Sequence, residues 1–179
     1  MISARTVAFK VPWFQITAKT VDGQDGSVTM PYWVVEPPDY VSVLALTPGK
    51  RALLIRQYRP AQERMMLELP SGYVDRGETP EQAVMRELAE ETGYTARNLE
   101  LLGSLAPDAG RIGNRLWAYL ARDVVGPESN HQPEPNLELV VIPAGELFDL
   151  SIKGEFDHAL NLAVLFLAQA KYGRHLFGL

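Results

Sequence analysis

The stretch from Thr79 to Gly93, "TPEQAVMRELAEETG", leaves little freedom in how it folds. Thr79 is a good N-cap, Pro80 suits the first helical position, and Gln82 completes a capping box. Gly93 stands where a left-handed residue ends a helix. Val84, Met85, Leu88 and Ala89 form an apolar stripe that must dock on something. Glu87, Glu90 and Glu91 crowd beside that stripe. At about 100° per residue, Glu91 lies about 40° from Glu87 on one side and Glu90 about 60° on the other. Like charges so spaced oppose the helix by roughly a few tenths of a kcal/mol per pair. Two partners could offset them. One is a hard cation such as Mg²⁺ or Mn²⁺, which prefers clustered carboxylate oxygens. The other is Arg86, four residues before Glu90, within an ordinary solvated acidic face.

Strand-like runs surround this helix. "VSVLALT" and "RALLIRQY" flank "PGK", with Pro48 and Gly49 placed for a type II turn, and predict a hairpin. "PGK" lacks the upstream glycine of a phosphate-binding loop. Earlier, "WFQITAKTV" and "VTMPYWVV" read as short strands broken by "DGQDGS", and "EPPDY" as a stiff connector. Later, Leu99 to Ala106, Arg115 to Arg122 and Leu137 to Ile142 read as strands. A short helix is expected over Gly145 to Ile152, and a last one from about Asp157, its expected cap, to Lys171. Strands mixed with separated helices imply an α/β (α+β) fold, a mixed sheet with helices on its faces. Trp13, Tyr32 and Trp33 in the early strands suit either stacking on a base or buried packing, with packing favoured.

Bulk properties exclude several classes of function. A net charge of −5 argues against nucleic-acid binding. Cysteine is absent, which removes disulfides, thiolate metal sites and cysteine nucleophiles and suits a cytoplasmic setting. His131, His158 and His175 form no ligand spacing. The apolar run Ala159 to Ala170 is short of the roughly 20 residues needed to span a bilayer, so a buried helix and no membrane association are expected.

From Gly72 the chain reads Gly72, five residues, Glu78, seven residues, then Arg86, Glu87, Leu88, Ala89, Glu90, Glu91, Thr92, Gly93 and Tyr94. This resembles the Nudix box, G-x5-E-x7-R-E-U-x-E-E-x-G-U, with U a bulky aliphatic residue; only Tyr94 departs from it. The run "LLIRQYRP" followed by "LELPSG" is similar to the approach to the box in ADP-ribose pyrophosphatases. The resemblance implies an α/β/α sandwich over 41–179 and an N-terminal β-rich arm over 1–40 that builds a homodimer and part of the base site. It implies Mg²⁺-dependent hydrolysis of ADP-ribose or a related nucleoside diphosphate sugar, a small-molecule nucleotide. GDP-mannose, a dinucleoside polyphosphate or a non-catalytic nucleotide-binding role are the alternatives.

Carried over residue by residue, the resemblance makes Glu87 and Glu91 the principal metal ligands. Glu90 would share a further ion, and the Ser71 carbonyl would face the metal. Arg86 and Glu78 would orient these carboxylates. Two candidates stand for the base that activates water: Glu134, in the irregular loop "GPESNHQPEPNLELVV", and Glu90. Glu138 and Glu128 stand further from the family's position. The segment "PDAGRIGNRLW" differs from the branch's usual loop and adds Arg111 and Arg115, which suit phosphate or sugar contacts or plain loop decoration. Arg56 and Arg59 suit bidentate phosphate contacts, and Glu68 is a possible site neighbour.

Overall fold

In the computed structural model, residues 2–23, 31–127 and 135–179 are described. The expected turn near "DGQDGS", the start of "VTMPYWVV", and Glu128, His131 and Glu134 lie wholly or partly outside them.

Three strands open the chain: β1 (Ile2–Lys10), β2 (Gln15–Val21) and β3 (Tyr32–Glu36), paired antiparallel in that order. Every residue of β1 is exposed. Trp13, Tyr32 and Trp33 are 71%, 55% and 55% exposed, which corrects the expectation of buried packing. Among the described residues no helix packs on this small sheet, so Trp13, Tyr32 and Trp33 stay exposed.

The larger sheet has seven strands. They are β4 (Tyr40–Leu46), β5 (Arg51–Arg59), β6 (Arg64–Glu68), β7 (Ser71–Tyr73), β8 (Asn98–Leu105), β9 (Leu116–Arg122) and β10 (Leu137–Pro143). The order β10-β5-β4-β9-β8 forms its spine, with β6 on β5 and β7 on β4. Among the described strands of this sheet only β4 and β9 pair in parallel, so the sheet is mixed. Strands β6 and β7 are too short and irregular in pattern to read from sequence. They turn "LELPSG" into two edges that meet at Pro70.

The β4–β5 hairpin forms, but not through a type II turn. Lys50 carries the positive φ of 53°, and Gly49 does not. The amide of Lys50 donates to Thr47 O at 2.9 Å, and the amide of Thr47 to Arg51 O. A turn closed by one left-handed residue follows the right-handed twist of its strands better than a type II turn.

Helices cover both faces. Helix α1 (Pro80–Thr92) packs Ala83, Val84 and Leu88 on Val41, Val43 and Ala45. Met85 and Ala89 are only half-buried, so the stripe is narrower than the sequence predicts. On the other face, α2 (Glu146–Lys153) and α3 (Ala159–Tyr172) close a second core around Leu44, Leu54, Phe156 and Val164. The α/β/α sandwich is thus formed. Helix α3 starts later than expected: His158, not Asp157, is its cap. Asp157 is drawn away to Arg64 at 2.5 Å. No described helix is long and apolar enough to cross a membrane.

Candidate active site

The box helix is held at both ends. Thr79 Oγ1 accepts from the Gln82 amide at 3.2 Å, and Gln82 Oε1 accepts from the Thr79 amide at 2.9 Å. Gly93 closes the far end at φ 73°, its amide donating to Ala89 O. With the helix fixed in rotation, Glu91 is carried under β7, where it is only 7% exposed. There its Oε2 accepts from the Ser71 amide at 2.9 Å. A buried carboxylate needs such donors or a cation.

Gly72 makes room for the next carboxylate. A Cβ at this position would lie 2.0 Å from Glu87 Oε1 and 2.1 Å from its Cδ. The carboxylate of Glu87 therefore rests in the space that only glycine leaves open.

Arg86 ties the remaining acids together. Its Nε and Nη2 donate to the two oxygens of Glu78, both at 3.0 Å, and Nη2 also reaches Tyr73 O. Nη1 donates to Glu87 at 2.8 Å and Glu90 at 3.0 Å. Glu78 is held below the usual carboxylate range, chiefly by the Arg86 hydrogen bonds, and Arg86 is correspondingly raised. One guanidinium thus faces four carboxylates, Glu78, Glu87, Glu90 and, at 3.9 Å, Asp75, with Glu91 nearby, so the cluster stays net negative.

These residues fit a hard divalent cation. The donor set is all oxygen, Gly72 provides a cradle, and Arg86, Glu87 and Glu91 line an open cleft of about 930 Å³, whereas Glu78 and Glu90 do not line it. Among the described residues, however, no three acidic or histidine side chains converge into a ready cation site. Arg86 draws Glu87 and Glu90 toward itself, and a cation would have to share them with it.

The cleft also brings in Arg59 and Glu68. Arg59 Nε and Nη2 fork onto the two oxygens of Glu68 at 2.8 and 2.6 Å, while Glu68 is fully buried. Arg59 is raised, chiefly by those bonds. Tyr40, whose hydroxyl donates to Ser71 Oγ, is pushed up to about 12 by burial.

Other expected residues go elsewhere. Arg56 pairs with exposed Glu138 at 3.2 Å on the β5–β10 edge. Arg115 bonds Ser104 through Nε at 2.9 Å. Arg111 is exposed and receives Val35 N–H at its carbonyl, at 2.8 Å. None of these three lines the cleft. His158 was given no role by spacing, yet it caps α3 and lines the cleft. Asn114 also lines it, donating to Pro38 O at 2.7 Å. No sequence pattern marks either residue, because each sits in a connecting segment, before β9 and before α3, that only the fold brings to the cleft.

The chain belongs to the Nudix family: a NUDIX domain matches residues 36–161. Relatives agree with this. An ADP-ribose pyrophosphatase of Bacillus subtilis is 35% identical over 91 residues, 51% of this chain and 49% of that protein. A methanol dehydrogenase activator of Bacillus methanolicus is 35% identical over 89 residues, 50% of this chain and 48% of that one. The chain thus matches about half the length of these curated relatives. The crystal structure of an ADP compounds hydrolase matches with a TM-score of 0.80 at 25% identity, covering 97% of this chain and 96% of that one.

Proposed function

We propose that this chain hydrolyses the diphosphate of ADP-ribose or a related nucleoside diphosphate sugar, releasing a nucleoside monophosphate and a sugar phosphate. The observation that carries the reading is the seating of Glu87 against Gly72 beside buried Glu91 in one cleft. Similarity to an ADP-ribose pyrophosphatase and an ADP compounds hydrolase supports the substrate class.

In this reading Glu87, Glu91 and the Ser71 carbonyl would hold Mg²⁺ or Mn²⁺, and Glu90 would share a further ion. A bound divalent ion supplies Lewis-acid charge to the diphosphate and lowers the pKa of an attacking water. The chain's own residues do the rest. The Ser71 amide fixes one oxygen of Glu91. Glu78 and Arg86 hold Glu87 and Glu90 in orientation. Arg59, anchored by Glu68, offers positive charge to a phosphate. Glu134 accepts the proton from water, with Glu90 as the second candidate.

The N-terminal arm, 1–40, is proposed to complete the partner's substrate site in a homodimer, leaving 41–179 as the catalytic domain. Exposed Phe9, Trp13, Tyr32 and Trp33 support this, since such a surface on one small sheet suits an interface. A cytoplasmic setting is consistent with the absence of cysteine.

Product analysis after incubation with Mg²⁺ and a panel including ADP-ribose, GDP-mannose and dinucleoside polyphosphates tests the reading. The expected outcome is AMP and ribose phosphate from ADP-ribose. Binding without turnover of any compound would favour a regulatory role, to which the activator among the relatives lends its name.

A further inference from the structure

Helix α3 begins inside the cleft, and its first turn is held firmly. Asn161 is fully buried, its Oδ1 accepting from the Leu69 amide at 3.0 Å and its Nδ2 donating to Ser42 Oγ at 3.2 Å. Three residues earlier, His158 Nδ1 accepts from the Asn161 amide at 3.4 Å. A ring nitrogen that accepts carries no proton, so in the neutral ring the proton sits on Nε2. Burial draws the His158 pKa below its ordinary value, which favours that neutral ring.

Among the described residues no side chain takes the donor this leaves. The charged groups facing His158 are Glu68, Arg59 and Asp157. Both oxygens of Glu68 are taken by Arg59, and Asp157 is paired with Arg64. Asn114 Oδ1 is the buried side-chain atom without a partner among the described residues; His158 is half-buried and lines the cleft.

Sheet order places this donor relative to the carboxylates. Strand β7, paired with β4, carries Ser71 and Gly72 beside the box helix at the centre. Strands β5 and β6 lie on one side, with Arg59, Glu68 and the start of α3. Strand β9 lies on the other, preceded by Pro107, Ile112 and Asn114. A diphosphate centred on Glu87 and Glu91 would direct one half toward each wall. The apolar faces of Pro37, Pro107 and Ile112 suit a planar base, and the opposite wall, where Gln57, Arg59, Gln62 and His158 stand beside Met66 and Leu160, offers polar groups to sugar oxygens.

We infer that His158 donates a hydrogen bond from Nε2 to an oxygen of the non-nucleoside half of the bound substrate, and so helps determine which sugar is accepted. The inference rests on the diphosphate-hydrolase reading above. It assigns the residue a contact with substrate, not a part in the chemistry.

The test is His158→Asn, because asparagine is an equally good N-cap but lacks the far ring donor. The KM for ADP-ribose should rise about fivefold to tenfold, as loss of one hydrogen bond implies. Its kcat should stay near wild type, as loss of uniform binding implies. Inhibition by AMP, which lacks that half, should be unchanged, and so should the thermal midpoint. A second readout is direct. With three histidines in the chain, nitrogen-15 spectra resolve His158, which should show the Nε2–H tautomer and shift on adding ADP-ribose under chelation. An unchanged KM, or an Nδ1–H tautomer, overturns the inference while leaving hydrolysis intact. Failure of the wild-type protein to turn over any diphosphate overturns the functional reading and this inference with it.

Discussion

Gly72 and Glu87 compete for one space: a Cβ on the glycine would lie 2.0 Å from the Glu87 Oε1. Gly72 has no left-handed backbone that alanine would strain. Gly72→Ala should therefore fold with a stability change within about 1 kcal/mol, the usual range where a flexible side chain can move aside. The displaced Glu87 carboxylate should lower kcat/KM by about 10- to 100-fold. Activity assays beside thermal melts check this, and full activity in the alanine variant would contradict it.

Glu91→Gln keeps the acceptor for the Ser71 amide but removes a charge. Turnover should fall by at least about a hundredfold, a loss of roughly 3 kcal/mol of transition-state stabilisation. The fold should survive, since removing a like charge relieves helix repulsion. Wild-type activity persisting after thorough chelation would sink the metal reading altogether.

Arg59→Ala leaves buried Glu68 without its counter-ion. Breaking such a pair from one side costs about 3–5 kcal/mol. Adding Glu68→Gln should recover part of that loss, because no charge then remains buried. Urea melts of wild type, both single variants and the double variant measure the coupling. Equal stability of Arg59→Ala and wild type would show the pair to be idle.

Glu36 gathers Lys19, Thr17 and Gln15 at the base of the arm, and these bonds, Lys19 foremost, hold its carboxyl down to about 2. A depressed carboxylate stabilises the fold above its unfolded value near 4.5 and loses that contribution as pH falls toward 2. The thermal midpoint of Glu36→Gln should therefore lie below wild type at neutral pH. The gap should close between about pH 4.5 and pH 2, followed by the fluorescence of Trp13 and Trp33. A gap that is constant with pH would remove Glu36 as the cause.

Trp33→Glu places a charge on the exposed aromatic face of the small sheet. If the proposed homodimer forms through this face and the arm completes the partner's site, the variant should be monomeric by light scattering and less active. An active wild-type monomer at assay concentration would reject the dimer outright.

Local signals carried the reading of the box helix from sequence: Thr79, Pro80, Gln82 and Gly93 act within a turn of where they stand. Arg86 was equally legible, because its partners Glu87 and Glu90 are its neighbours on the helix. The substrate side was not. Arg56, Arg59, Arg111 and Arg115 look alike in sequence. Only the pairing of β5 with β6 and β10 turns Arg59 to Glu68 and Arg56 to Glu138. The Asp157 cap failed for a similar reason, since distant Arg64 competes for its carboxylate. Glu134 lies outside the described residues, so its role rests on sequence resemblance.

Strand β4 has a further consequence for how such a site is kept in alignment. Val41, Val43 and Ala45 belong to the core under α1, while Leu44 and Leu46 belong to the one under α3, with Ser42 bonded to Asn161. A slip of one residue would send each set to the wrong helix at once. The same strand fixes Ser71 through Ser42 and the start of β9 through Tyr40. Two independent hydrophobic sortings thus enforce a single register, and residues that meet no ligand set the distance between the box and the opposite wall.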